Sequence, residues 1–248
     1  MSILSATGVS KSFGAVTAAE NVNVEVPEGA VFSLIGTNGA GKTTFVNMVT
    51  GYITPDSGDI RLRDRSIKGL GPREITHLGV HRSFQIPQLY NELTVEENIL
   101  VAQAIHGTRR PSFLRPGRAA EARGRATETL ERFGIADHKE RLIPELSGGV
   151  KKLLDIAMAL SRDTAIMLLD EPTSGVAADE KFPIMDLVIG ALRETRTTVI
   201  FVEHDMDVVT RYSDRVLAFY AGRVIADDAP DEVLSDPDVQ RYVTGGAR

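Results

Sequence analysis

The sequence predicts an α/β fold whose parallel sheet is covered by helices on both faces. Three predominantly apolar runs, at residues 31–35, 165–169 and 198–202, have the length of strands and are separated by segments that can be helical. A strand without a polar face is buried on both sides, which is typical of parallel sheets between helices. A glycine-rich stretch follows the first run and precedes a helical segment. We expect the rest of the chain to be organised around this strand, loop and helix.

The first 26 residues are expected to form short strands of an antiparallel β subdomain. Val22, Val24 and Val26 alternate with polar residues, as on a strand with one exposed face. A turn at 27–29 leads into the apolar run at 31–35. Beyond the glycine-rich stretch, the pattern predicts a helix ending near residue 50, a strand at 59–63, a short helix at 72–77 and a strand at 79–84.

The glycine-rich stretch has the pattern G-x-x-x-x-G-K-[ST] of a phosphate-binding loop. Glycine tolerates positive φ and lets backbone N–H groups approach phosphates closely. The lysine of the pattern reaches the β- and γ-phosphates, the first threonine coordinates Mg²⁺, and the following helix N-terminus adds a favourable dipole. The residues of this predicted nucleotide-phosphate and Mg²⁺ site are Gly36, Asn38, Gly39, Ala40, Gly41, Lys42, Thr43 and Thr44.

Strand signals vanish between residues 85 and 160, which predicts a helical subdomain. Thr94 and Glu97 form a T-x-x-E capping box that opens a helix through residue 104. Further helices are predicted at 119–133 and 150–160. Residues 106–125 are rich in arginine, proline and glycine, which indicates either a solvated loop and helix start or a surface that docks on a partner or on anionic lipid.

After residue 160 strands and helices alternate again. The pattern predicts helices at 178–195 and 207–212, a hairpin at 214–226 and a helical C-terminal end at 231–243. We therefore divide the single domain into residues 1–85 (β subdomain and first part of the core), 86–160 (helical subdomain) and 161–248 (second part of the core).

Composition excludes several classes of protein. The chain has 248 residues, 42% of them hydrophobic, no cysteine and a formal net charge of −6. It can form neither a disulfide framework nor a thiolate metal site, and it lacks the basic excess of a nucleic-acid-binding protein. The longest apolar runs are far shorter than the ~20 residues of a membrane span, and residues 1–9 carry no secretory signal pattern. We expect a cytosolic chain that meets a membrane only through partners.

Two acidic residues end the apolar run at 165–169. A core strand of this kind delivers Asp170 to Mg²⁺ at its C-terminal end, and Glu171 then lies where an attacking water must be oriented. If the charge of Asp170 is neutralised by Mg²⁺, Glu171 is the carboxylate that accepts a proton from water. Two acids after a strand are by themselves more often a helix cap or a turn, so this interpretation depends on the phosphate loop.

With these motifs in this order, the chain resembles the ATP-binding subunit of an ABC transporter over essentially its whole length. The resemblance implies a P-loop NTPase core of the RecA-like type, with an antiparallel β subdomain and an inserted helical subdomain. It also implies that two chains sandwich two ATP molecules. The positions that match the remaining motifs of this family are Phe13 for adenine stacking, Gln85 as a Mg²⁺ or water ligand, His204 for the γ-phosphate, and Leu146, Ser147, Gly148 and Gly149 as the signature that faces the nucleotide of the opposite subunit.

A finer resemblance is to the longer ATP-binding subunit of branched-chain amino-acid uptake systems. Residues 82–85, 93–102 and 203–206 carry it, although importers of urea, amides and other solutes, and a lipopolysaccharide-export ATPase, share much of it. The implied activity is Mg²⁺-dependent ATP hydrolysis that drives solute import at the cytoplasmic face of the cell membrane. The implied partners are membrane-spanning permease subunits, a second ATP-binding subunit and, indirectly, a solute-binding protein, with no nucleic acid.

Simpler roles compete with some of these assignments. Phe13 could be only a core or edge aromatic, and Ser147 could be only a helix N-cap. Two other functions compete with ATP-driven import. One is a soluble ABC-type ATPase that acts on ribosomes or chromosomes, and the other is a nucleotide-binding regulator without catalytic activity. The chain departs from the family pattern at Thr37, at Val150 and at Val176 with Ala177. The last departure replaces a side chain that in the family helps to couple the two ATP sites, which indicates a heterodimer with unequal sites, while a homodimer stays possible.

Overall fold

The computed structural model describes residues 2–83, 88–106, 116–161 and 164–245, without the side chains of residues 105, 106 and 116–118. Gln85 and much of the arginine-rich segment lie outside the described residues. Two compact units are formed. The first comprises Met1–Arg82, Ala165–Glu171 and Arg196–Arg248, and the second comprises Ser83–Thr164 and Pro172–Thr195. The division predicted at residues 85 and 160 remains a prediction.

Strands dominate the first half of the described chain, and helices alternate with strands in the second. In chain order the elements are β1 (Ser2–Phe13), β2 (Val16–Pro27), β3 (Val31–Gly36), α1 (Lys42–Val49), β4 (Ser57–Leu62), β5 (Arg65–Ser66), α2 (Pro72–His77), β6 (Val80–Ser83), α3 (Val95–His106), α4 (Pro116–Arg132), α5 (Gly148–Leu160), β7 (Ile166–Asp170), α6 (Lys181–Glu194), β8 (Thr198–Val202), α7 (Met206–Tyr212), β9 (Arg215–Tyr220), β10 (Arg223–Asp228), α8 (Pro230–Ser235) and α9 (Pro237–Val239).

Two sheets make up the β structure of the first unit. The larger has the strand order β10-β9-β3-β8-β7-β6, and the smaller has the order β2-β1-β4-β5. In the larger sheet β3 runs parallel to β8 and β9, and β7 runs parallel to β8. In the smaller sheet neighbouring strands are antiparallel. The predicted α/β fold class with an additional antiparallel sheet is confirmed.

The buried apolar strands position the site because their carboxyl ends meet at one edge of the larger sheet. All residues of β3 and β8 are buried, and only the last residue of β7 is partly exposed. Asp170 pairs in register with Val202, so the residues that follow β7 and β8 leave the sheet side by side. Phe45 of α1 packs at a ring distance of 5.8 Å against Phe219 of β9, which fixes α1 on this sheet.

The second unit is built from helices. α3 packs on α4 and α5, and α5 packs on α6. α5 begins at Gly148, two residues before the predicted start, because Ser147 caps it. α6 begins at Lys181 instead of residue 178, since the preceding residues form turns.

The C-terminal end is helical, as the sequence predicts, and is divided into short pieces. Residues 230–244 form α8, α9 and a short π-helical turn. Pro237 is the first residue of α9. Because proline has no backbone N–H, it cannot donate the hydrogen bond that would continue α8.

No helix among the described residues is both long and apolar enough to cross a membrane.

Candidate functional site

The loop between β3 and α1 has the backbone geometry that a phosphate-binding loop needs. Gly36, Gly39 and Gly41 have φ values of 150°, 79° and 109°. A Cβ on Gly36 would lie 2.4 Å from the carbonyl oxygen of Phe219, and one on Gly41 would lie 2.4 Å from that of Ala18. These two positions therefore require glycine. The first N–H groups of α1, which begins directly after Gly41, have no intrahelical acceptor and are suited to bind an anion.

Lys42 is the buried cation of this loop. Its side-chain Nζ donates to the carbonyl oxygens of Gly36 at 2.5 Å and Thr37 at 3.1 Å. Burial lowers the pKa of Lys42, and the nearby carboxylates of Glu171 and Asp170 oppose this shift. The ammonium group is thus held at the mouth of the loop by acceptors that phosphate oxygens can replace.

Asp170 ends β7 in an ion pair that the sequence analysis did not assign. Nη2 of Arg82 donates to Oδ2 of Asp170 at 2.5 Å, and Nη1 of the same guanidinium donates to Oδ1 of Asn47 at 2.7 Å. The side chains of Arg82 and Asp170 are 9% and 20% exposed. Arg82 therefore links β6 to the end of β7 and to α1, and it fixes the orientation of the Asp170 carboxylate.

Glu171 and His204 lie together at the ends of neighbouring strands. Oε1 of Glu171 is 3.4 Å from Nε2 of His204. The N–H of Glu171 donates to the carbonyl oxygen of Val202 at 3.0 Å, which ties the residue after β7 to the end of β8. Glu171 has φ of 47°, an unfavourable value for a residue with a side chain. Strain of this kind concentrates at functional positions.

Glu203 supports the backbone that carries His204. Its side chain is almost fully buried, and Oε2 accepts hydrogen bonds from the N–H groups of His204 at 3.0 Å and Asp205 at 3.4 Å. Asp205 in turn caps α7 by accepting from the N–H of Asp207. The turn after β8 is thereby fixed, and His204 is presented from it.

The other predicted phosphate-site residues lie in the loop before α1 and in its first turn. Thr43 is exposed and Thr44 is half-buried, while Asn38 and Gly39 form the exposed tip of the loop before the buried Ala40. Phe13 ends β1 and is 49% exposed. Lys11, which forms an ion pair with Asp56, lies with its Nζ 5.6 Å from the Phe13 ring centroid. The exposed ring is compatible with stacking on a base.

Oxygen donors at this edge fit a magnesium ion that is held by few protein ligands. The Thr43 hydroxyl and the Asp170 carboxylate are the hard oxygen ligands that Mg²⁺ prefers, and this ion usually combines one or two carboxylates with waters and substrate phosphates. Within the described part of the chain, no three His, Cys, Asp or Glu side chains gather into a metal cluster. Because Mg²⁺ needs only one or two protein carboxylates, Asp170 with the Thr43 hydroxyl fits a site that waters and nucleotide phosphates would complete.

In the second unit, the predicted signature residues form the start of α5. Oγ of Ser147 accepts from the N–H of Val150 at 3.4 Å. A Cβ on Gly149 would lie 2.5 Å from Cδ1 of Ile184 in α6, so only glycine fits there without a shift. Ser147 is therefore a helix N-cap, which is the simpler of its two predicted roles. Its contact with the nucleotide of an opposite subunit remains a prediction.

Further along α5, Asp155 is a buried carboxylate for which the sequence analysis predicted no role. Oδ2 accepts from Oγ of Ser83 at 2.6 Å, and Oδ1 accepts from the N–H of Gln88 at 3.0 Å. Burial raises the pKa of Asp155, against the opposing effects of Ser83, Gln88 and Lys152. In the sequence Asp155 stands between Leu154 and Ile156, but two lysines precede Leu153, so the pattern alone does not distinguish it from a solvated helix residue.

The structure thus brings four predicted residues together in the first unit: Lys42, Asp170, Glu171 and His204. Phe13 belongs to the same unit at the end of β1, and Ser147, Gly148 and Gly149 belong to the second unit. Gln85 lies outside the described residues. Arg82 and Glu203 join the cluster without having been predicted to take part in it.

Comparison with known proteins gives a consistent result. Residues 19–174 match the sequence profile of a family described as ABC transporter. The high-affinity branched-chain amino acid transport ATP-binding protein LivG of Escherichia coli (strain K12) is 38% identical over 253 residues, covering 99% of this chain and 98% of LivG.

Two solved structures are also similar. One is the ADP conformation of an ATP-binding cassette of an ABC transporter, with a TM-score of 0.83, 31% identity and coverage of 97% of this chain and 98% of that one. The other is the dimeric structure of a post-hydrolysis state of an ATP-binding cassette bound to ADP and Pi. Its TM-score is 0.77 and its identity 26%, with coverage of 92% and 98%.

Proposed function

Since this chain belongs to the ABC transporter family, we propose that it is the ATP-hydrolysing subunit of an importer for branched-chain or other hydrophobic amino acids. The cluster of Lys42, Asp170, Glu171 and His204 carries the enzymatic part of this proposal. The 38% identity to LivG over nearly the whole of both chains supports the transport part.

The loop before α1 binds the phosphates of ATP. Lys42 exchanges the carbonyl oxygens of Gly36 and Thr37 for the β- and γ-phosphate oxygens, and the N–H groups at the start of α1 bind the same phosphates. Lysine provides a compact point charge that suits this task. Phe13 stacks on the adenine, which adds affinity without requiring hydrogen bonds to the base edge.

Asp170 and Thr43 hold Mg²⁺, which when bound neutralises phosphate charge in the transition state. Gln85, predicted as a further ligand, keeps that role as part of the proposal. Arg82 keeps the Asp170 carboxylate oriented before the ion arrives, because its guanidinium is itself fixed by Asn47.

Glu171 orients the attacking water and accepts its proton. The water oxygen forms a bond to the γ-phosphorus, the bond from that phosphorus to the β,γ-bridging oxygen breaks, and ADP leaves with the electron pair. His204 donates from Nε2 to the γ-phosphate, and its proximity to Glu171 keeps both side chains directed at one point. Glu203 holds the backbone from which His204 projects.

A second ATP-binding chain completes each site. Ser147, Gly148 and Gly149 face the γ-phosphate that the partner subunit binds. This arrangement requires a dimer, and a similar cassette has been solved as a dimer. Ala177 is exposed in the turn where the family pattern has a polar residue, and this departure favours a different partner chain with unequal sites. The dimer is docked on membrane-spanning permease subunits at the cytoplasmic face, and a solute-binding protein delivers the amino acid.

The proposal is tested by leucine uptake in cells from which this chain has been deleted. We expect uptake of radiolabelled leucine to be lost and to be restored by the wild-type chain and by E131Q, a change on the exposed surface of α4, but not by E171Q. Normal leucine uptake in the deletion strain would refute the transport assignment. Phosphate release by the chain together with its co-purified membrane and ATP-binding partners tests hydrolysis separately.

A further inference from the structure

Two consecutive residues at the end of β6 are held by two different carboxylates. Arg82 donates to Asp170, which ends β7, and Ser83 donates from its hydroxyl to Asp155 in α5. The peptide bond between Arg82 and Ser83 is also a place where the chain passes from the first unit to the second. Arg82, the last residue before this point, is therefore held by a carboxylate of the first unit, and Ser83, the first residue after it, is held by a carboxylate of the second unit.

The anchor on the α5 side is buried and its two oxygens are both used. Asp155 is 9% exposed, and the neighbouring Lys152 is 2% exposed. One carboxylate oxygen holds Ser83 and the other holds the N–H of Gln88. A buried charge with good partners fixes one arrangement of the groups around it, because each alternative leaves a donor or acceptor unpaired.

Stability alone does not explain an acid at this position. Removing a carboxylate from water raises its pKa, as it does for Asp155, and an apolar residue on the same face of α5 would avoid this penalty. The carboxylate instead joins α5 to the strand end from which Arg82 projects. Because Arg82 orients Asp170, a shift of Ser83 changes the position of the Asp170 carboxylate through a single intervening residue.

α5 also carries the signature residues at its N-terminus. Asp155 lies seven residues after Gly148, and at 1.5 Å per residue these positions are about 10 Å apart along the helix axis. A hydrogen-bonded helix of this length moves as one piece, so a displacement of its N-terminus displaces Asp155 as well.

We propose that Asp155 is a positioning residue for ATP hydrolysis, which acts through Ser83 and Arg82 on the Asp170 carboxylate. The inference rests on the proposed function, in that Asp170 is taken as the Mg²⁺ ligand. In this proposal, a displacement of the signature residues reaches Asp170 through the hydrogen bond from Ser83 to Asp155. A contact that only stabilised the fold would change ATP affinity equally with and without Mg²⁺. The hydrogen bond between Ser83 and Asp155 instead affects only the affinity that depends on Mg²⁺.

Three variants separate this role from a packing role. D155A removes both hydrogen bonds, and S83A removes only the link to β6. D155N keeps both, since its amide oxygen can accept from the N–H of Gln88 while its NH₂ group donates to Oγ of Ser83. E131A on the exposed surface of α4 serves as the matched control in the same unit.

The readout is the affinity for a fluorescent ATP analogue, measured once with Mg²⁺ and once with EDTA. For D155A and S83A we expect unchanged affinity in EDTA and an affinity about tenfold weaker in Mg²⁺, the size typical of changes behind a metal ligand. D155N and E131A should match the wild type in both conditions. In the R82M background, S83A should have no further effect, because the path it interrupts is already broken.

The outcomes distinguish this proposal from the function on which it rests. Wild-type Mg²⁺ dependence in S83A would overturn the proposal, and this variant serves even if D155A does not fold. An equal loss of affinity in EDTA and in Mg²⁺ would also overturn it, since that result indicates general damage. If the wild-type chain itself bound the analogue equally with and without Mg²⁺, the proposed metal site would fail instead.

Discussion

Nε2 of His204 lies 3.4 Å from Oε1 of Glu171, although the two residues are separated by an entire helix and strand in the sequence. β7 and β8 are parallel neighbours, and the N–H of Glu171 donates to the carbonyl of Val202 at the end of β8. The sheet therefore brings a potential proton acceptor and a potential phosphate ligand to one point. Their proximity gives each a role that can be tested separately.

Replacing Glu171 by glutamine should lower turnover by orders of magnitude and leave ATP binding intact. The amide keeps the size of the side chain but cannot accept the proton of the attacking water, so we expect phosphate release to fall about 10²–10⁴-fold. Nucleotide affinity, measured with a fluorescent ATP analogue, should not change. Wild-type turnover in E171Q would show that Glu171 is not the group that accepts the proton of the attacking water.

Replacing His204 by alanine should also reduce turnover, because a donor to the γ-phosphate is lost. Removal of one such donor typically lowers turnover about 10²–10³-fold. H77A, at the exposed end of α2 in the same unit, is the matched control and should hydrolyse ATP at the wild-type rate. The assay is steady-state phosphate release in the presence of the partner subunits. Equal rates for H204A and H77A would contradict the assigned contact.

The sequence was sufficient to predict where the site residues lie along the sheet. Continuous apolar runs indicate buried parallel strands, and in such a sheet the residues after each strand gather at one edge, as Asp170 and His204 do. Turn and loop glycines were equally predictable. Gly36 and Gly41 stand where a side chain would meet a backbone carbonyl oxygen.

The contacts that support the site were not predictable in the same way. Arg82 and Asp170 are 88 positions apart, and Ser83 and Asp155 are 72 apart, so no sequence window contains both members of either pair. Many charged residues compete for each partner, and only tertiary packing selects among them. Asp155 looks like a solvated helix residue until the burial of its neighbours is known.

Replacing Arg82 by methionine should lower the free energy of unfolding by about 3 kcal/mol, because the Asp170 carboxylate is left mostly buried without its counter-charge. The matched control is R61M, which removes an exposed ion pair with Asp59 and should cost less than about 1 kcal/mol. Urea denaturation of the nucleotide-free chain, followed by circular dichroism, measures both. Equal losses would show that the pair at Asp170 is energetically an ordinary surface pair.

Replacing Lys42 by alanine should weaken ATP binding. Hydrogen bonds to charged groups contribute about 1.5–3 kcal/mol, which corresponds to a loss of affinity of about 10- to 100-fold. K68A, which removes an exposed lysine of the same unit, should bind the fluorescent analogue as the wild type does. Unchanged affinity in K42A would mean that Lys42 stays on the carbonyl oxygens of Gly36 and Thr37 when nucleotide binds.

Two glycine-to-alanine changes should have opposite effects on stability. Gly41 has φ of 109° and its Cβ would lie 2.4 Å from the Ala18 carbonyl oxygen, so G41A must shift backbone as well as adopt a strained conformation. We expect a loss of about 1–3 kcal/mol or more, together with loss of nucleotide binding.

Gly190 provides the contrast. It is exposed in the interior of α6, where a Cβ would meet open space among the described residues. G190A should raise the free energy of unfolding by about 0.5–1 kcal/mol, since alanine loses less backbone entropy than glycine on entering a helix. Thermal melting of both variants beside the wild type tests this. A melting temperature of G41A at or above that of G190A would mean that the loop before α1 relaxes freely, and the close approach of β2 to Gly41 would then not fix the phosphate loop.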